Sequence, residues 1–150
     1  PTRRSSDLLE RAGLRELGRL LDTVRSALAG VDEWHRVLAV AITTAHRFLG
    51  EHPTLRGMIA VEPDAVSSYV AFDRVGPYLS GAVAFLAPYL QPGLSAQRSV
   101  EAAEWGARIL LSFVIQPQTQ VDRFDLRNID QIEQFILTYL APGVWPSAAS

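Results

Sequence analysis

Three histidines, a few carboxylate pairs and a stripe of arginines are the side chains with chemistry to offer in this 150-residue chain. His35 and His46 stand eleven positions apart. On a helix that spacing gives the same face but about 16 Å along the axis, at ~1.5 Å per residue, too far to share a metal ion without bending the helix. His52 precedes Pro53 at an expected helix boundary. Each histidine reads as structural or solvated. His46, bordering an apolar stripe near Ile42, is best placed to offer a ligand a single polar contact. Glu101 and Glu104 form an i, i+3 carboxylate pair, and Glu62 lies close to Asp64. A di-iron helical bundle needs Glu-x-x-His motifs on two helices, and the chain contains none, so these carboxylates read as solvated. Cysteine is absent, which excludes disulfides, thiol nucleophiles and thiolate metal sites. There is no Gly-x-Ser-x-Gly elbow and no glycine-rich phosphate loop. No catalytic residue, metal site or cofactor is expected, and the chain is not expected to be an enzyme.

Arg11, Arg15 and Arg19 repeat every four residues opposite a leucine seam. They read as a solvated face partly relieved by Asp7 and Asp22, or as a face turned toward phosphates or a neighbouring domain. All fourteen basic residues are arginine, and the net charge is −2, so the chain as a whole is no polyanion binder. Hydrophobic residues make up 48% and charged residues 20%, a globular composition sufficient for one buried core. The longest apolar run, Ile109 to Ile115, falls far short of the ~18 residues of a membrane span, and no signal pattern opens the chain. A cytoplasmic protein without membrane contact is expected.

The hydrophobic period that must position these residues is helical nearly throughout, predicting an all-α bundle of about six helices. Residues 1–5 fit no helical pattern and are expected to be disordered or foreign to the domain. Ser6 or Asp7 can cap a first helix to about Ala29, stopped by Gly30, with Leu14, Leu17, Leu21, Val24 and Leu28 as its seam. Asp32 caps a second helix to about Leu49, with Trp34, Leu38, Ala41, Ile42, Ala45, Phe48 and Leu49 on its stripe. A short helix from Pro53 to about Val61 and another from Pro63 to about Phe72 follow. Gly76-Pro77 kinks the latter or starts a new helix to Leu90. Ser95 or Ser99 caps a long helix to about Ile115. Residues 118–127 read as a loop. The last helix runs from about Asn128 to Leu140, before Pro142-Gly143 and a tail over 144–150.

The two carboxyl-terminal helices are too apolar for one buried face. Trp105, Ile109, Ser112 and Phe113 make one stripe, and Ala107, Leu110, Leu111 and Val114 another. On the last helix Ile129, Ile132, Ile136, Tyr139 and Leu140 share a face, with Phe135 pointing elsewhere. A second copy of the chain is the least costly cover, so a homodimer is expected through Ala107, Leu110, Leu111, Val114, Ile129, Ile132, Phe135, Ile136 and Tyr139. The aromatic residues Trp34, Tyr69, Phe72, Phe85, Trp105 and Phe113 are explained either by core packing or by an apolar cavity for a flat or aliphatic effector. In the second case Leu38, Ile42, His46 and Ile109 join the lining, and Met58 and Leu55 form the mouth.

Two segments carry a family resemblance. Phe48-Leu-Gly-Glu-His-Pro-Thr-Leu-Arg-Gly-Met-Ile-Ala-Val-Glu-Pro63 resembles the helix 5 to helix 6 junction of TetR-family regulators. Phe124-Asp-Leu-Arg-Asn-Ile-Asp-Gln-Ile-Glu-Gln-Phe-Ile-Leu-Thr-Tyr-Leu-Ala-Pro-Gly143 is similar to the family's final helix and its "PG" ending. The resemblance spans roughly residues 6–143 and implies an effector-binding and dimerisation domain. It implies a repressor released from DNA when a small hydrophobic effector changes the pitch of the first helix. Nothing before Ser6 can form the family's helix-turn-helix, so DNA contact is expected only through a part preceding this chain. Two other readings stay open: a monomeric helical module that presents an apolar groove to a partner protein, and a small helical enzyme or carrier using His46 with nearby carboxylates.

Overall fold

The computed structural model describes residues 3–53, 75–115 and 125–144. These are helical, with no strand among the described residues. Helix α1 spans Arg3–Ala27, opening three residues before the expected Ser6 cap. It ends where Gly30 turns to a φ of 76°, a left-handed conformation that glycine adopts without steric cost. Helix α2 spans Trp34–Glu51; Glu33, not Asp32, sits at its N-cap and makes no side-chain cap bond. Helix α3 spans Gly76–Leu90 with proline in its first turn, where the missing N–H removes no bond; Gly76-Pro77 thus starts a helix. Helix α4 spans Ala96–Ile115. Ser95 is its cap, accepting from the Arg98 N–H at 3.4 Å, whereas Ser99 is buried inside and returns its hydroxyl to the Ser95 carbonyl. The expected helices over 53–61 and 63–72, most of the 118–127 loop, and the tail from 145 lie outside the described residues.

Helix α5 spans Ile129–Phe135, with the Asn128 side chain accepting the Asp130 and Gln131 N–H groups. It does not stop at Leu140. A single π turn over Ile136–Leu140, closed by the Ala141 N–H on the Ile136 carbonyl, leads into a last turn, Ala141–Val144. The π turn has a packing reason. In an α-helix each i+4 step rotates about 40° around the axis, so Ile132, Ile136 and Leu140 would drift off one face. The wider turn reverses part of that drift, and all three are buried.

The centre of the molecule is α2, which packs against α1, α3, α4 and α5. Its buried residues run almost without a break from Val37 to Thr43, the pattern of a helix surrounded on most sides. Two glycines let neighbours close on it. A Cβ at Gly93 would lie 2.7 Å from Trp34 Cδ1, and one at Gly106 2.5 Å from Leu38 Cδ1. The inward face of α4 is therefore Ser99, Ala102, Ala103 and Gly106, all buried, with Leu110 and Phe113 packed against the core farther along. That face cuts across both expected stripes.

Candidate functional site

Helix α2 carries polar chemistry at its start and again toward its end. At its start, His35 Nδ1 lies 2.7 Å from Glu133 Oε1 on α5 and Nε2 3.2 Å from Glu33 Oε2. Arg36 Nη1 donates to Asp130 at 2.6 Å and to Glu133 at 2.5 Å. Burial works to raise the Glu133 carboxyl's pKa, but hydrogen bonds from Arg36 and His35 outweigh it and hold the group below its ordinary value. This cluster clamps α5 to α2 across nearly a hundred residues of chain.

Two to three helical turns on from His35 the same helix presents Thr43 and His46. Thr43 is 1% exposed. Among the described residues its Oγ1 and His46 Nδ1 are buried atoms with no hydrogen-bond partner, an uncommon state for buried polar groups. Desolvation lowers the pKa of His46, Arg127 pushes it the same way and Asp125 opposes, so the neutral ring is favoured. The segment beside it is tightly tied. Asp125 N–H donates to Gln131 Oε1 at 2.9 Å, Arg127 N–H to Asp125 Oδ1 at 2.9 Å, and Leu126 is buried between them.

Of the residues expected to line a cavity, Trp34, Leu38 and Ile42 come together as core against Gly93 and Gly106. Phe85 packs at the rim of the core, under the Arg25 guanidinium at 5.3 Å from its ring centre. Phe113 borders the core and Ile109 is half-buried. Trp105 is 56% exposed. It lies on the outside of α4, away from any interior lining, because the small-residue face of that helix points inward instead. Met58, Leu55, Tyr69 and Phe72 lie outside the described residues. Thr43 was not expected at all; its place three residues before His46 was the only available signal.

Of the residues expected at a subunit interface, Ile132 and Ile136 are 1% and 0% exposed within one chain and have no surface left for a partner. Leu110 and Ile129 also pack on the core. Ala107, Leu111 and Val114 are half-buried. Phe135 is half-buried and lies 5.1 Å from Tyr139, which is 72% exposed. Trp105 and Tyr139 flank a fixed contact: Arg98 donates to the Gly143 carbonyl at 3.3 Å. Trp105 is two helical turns beyond Arg98 on the same side of α4, and Tyr139 is one turn before Gly143. The charged side chains around Trp105 pair internally, Arg98 with Glu101 at 3.0 Å and Arg108 with Glu104 at 2.6 Å.

On α1, Arg19 pairs with Glu16 at 2.8 Å and Asp22 pairs with Arg25, so Asp22 does not relieve the Arg11–Arg15–Arg19 stripe; the side chain of Asp7 lies outside the described residues. His52 Nε2 lies 3.0 Å from Glu16 Oε2, joining the end of α2 to α1. Among the described residues no group of three or more His, Asp or Glu is gathered as a metal site, and no helix is long and apolar enough to cross a membrane. Compared with protein families, curated proteins and solved structures, the chain matches none.

Proposed function

We propose that this chain is the effector-binding and homodimerisation domain of a TetR-like transcriptional regulator, a repressor released from DNA by a small apolar ligand. In this reading DNA contact is made by a separate helix-turn-helix part, and α1 is the helix that leads toward it. The observation that carries the proposal is the exposure of Trp105 and Tyr139 on the two carboxyl-terminal helices. A tryptophan and a tyrosine left that open are costly in water and are enriched where a partner covers them. A second copy of the chain suits this face, because the flanking charges are already paired in each copy and bring little like-charge repulsion to a twofold contact. The interface is then built on Trp105 and Tyr139 with Phe135, and not on Ile132 or Ile136.

Light scattering at micromolar concentration tests this. The expected result is a mass of two chains, reduced to one by Trp105→Glu combined with Tyr139→Glu, with the helical circular dichroism unchanged. A single-chain mass for the unaltered protein would sink the dimer and favour a monomeric module that presents the same face to another protein.

A further inference from the structure

Several hydroxyls on the helices of this protein bond back along their own helix. Thr23, Ser26, Ser99 and Thr138 each return the hydroxyl to the carbonyl one turn back, at 2.9, 3.0, 2.9 and 2.7 Å. That bond is the cheapest satisfaction a helical hydroxyl can find. Thr43 has the same opportunity toward Ala39 on α2, is more deeply buried than Thr23, Ser26 or Thr138, and does not take it. His46, one turn on and about 5–6 Å away between Cβ atoms, likewise leaves Nδ1 without a partner.

From these two orphaned atoms we infer that Thr43 and His46 form the polar end of a binding site for a neutral, mostly apolar small molecule bearing one hydroxyl or carbonyl oxygen. This rests on reading the chain as an effector-binding domain, and it specifies the chemistry of the effector. The stoichiometry of hydrogens fits. A neutral imidazole and a threonine hydroxyl together can offer a donor and an acceptor to an alcohol, or two donors to a ketone. The surroundings fit as well: Ala39 and Val40 one turn earlier on α2 are buried, as is Leu126 on the segment beside His46. A carboxylate fits less well. Its charge would have to be desolvated, while Arg127, whose charge acts on His46, is exposed and countered by Asp125.

The test titrates the full chain at pH 7.5 with cyclohexanol, cyclohexanone, methylcyclohexane and cyclohexanecarboxylate, following thermal shift and the His46 imidazole nitrogen signals by NMR. The alcohol and the ketone should bind about tenfold more tightly than the hydrocarbon, the value of one well-placed hydrogen bond. Both should move the His46 resonances. Thr43→Val should erase most of that gap, and Thr43→Ser should restore it. The site is overturned by equal affinity for hydrocarbon and alcohol, by a gap that survives Thr43→Val, by tightest binding of the carboxylate, or by no saturable binding of any probe. Light scattering in the same buffer separates the two proposals. A dimer that binds no probe overturns this site alone, whereas a monomer that binds cyclohexanol through Thr43 overturns the dimer alone.

Discussion

Thr43 and His46 make opposite contributions to the folded protein and to any ligand it holds. A buried hydroxyl without a partner keeps its desolvation penalty, on the order of 1–2 kcal/mol. Replacing it with a methyl of similar shape should raise stability while removing ligand discrimination. Thr43→Val is therefore expected to raise the unligated melting temperature by roughly 2–6 °C, which differential scanning calorimetry would measure. His46 adds a pH dependence. Its folded pKa lies below the ordinary 6.5 because of burial, so its contribution to stability is complete above that value and is lost as pH falls through the folded value. Denaturant midpoints taken from pH 7.5 down to 5 should decline, and His46→Gln should flatten the decline. A slope unchanged by that substitution would assign the acid sensitivity to another group.

Helix α5 is attached by polar as well as apolar contacts. Ile132, Ile136 and Leu140 insert into the core through the π turn, while Glu133 holds His35 and Arg36. Glu133→Gln should loosen the polar half only, so amide exchange over 129–144 should quicken while α2 stays protected. The same substitution should remove a stabilisation that in the unaltered protein is present above about pH 4.5 and fades as pH falls through the lowered value of Glu133. The contact between α4 and α2 depends on the missing side chain of Gly106. With Leu38 fully buried behind it, Gly106→Val should cost on the order of 1–3 kcal/mol through overpacking, read as a lower urea midpoint with unchanged slope.

Taken whole, the molecule is a helix wrapped by its neighbours, with aromatic side chains left over on the outside. The inner surface of α4 is small enough to bring α2 close, which drives Trp105 outward. Close internal packing and an exposed apolar face thus have a common origin. If the face is covered by a twin, stability should depend on concentration, and the melting temperature should rise over a hundredfold range of protein. A melting temperature independent of concentration would count against the dimer as firmly as a single-chain mass.

Local signals determined what local forces control. Gly30 ends α1, Pro77 opens α3, Ser95 and Asn128 cap α4 and α5, and each could be read from the residue and its immediate neighbours. The helical class follows from periodicity for the same reason. The identity of the inward faces could not be read this way. Bulk hydrophobicity directs attention to Trp105 and Ile109, whereas helix–helix approach is decided by Ser99, Ala102, Ala103 and Gly106, whose small size matters only once a partner helix is present. The clamp of Glu133 on His35 and Arg36 joins residues nearly a hundred apart, and no spacing rule reaches that far. Thr43 is set apart by the deep burial of a hydroxyl with no partner among the described residues, and burial inside a core is a property of the neighbours that surround it.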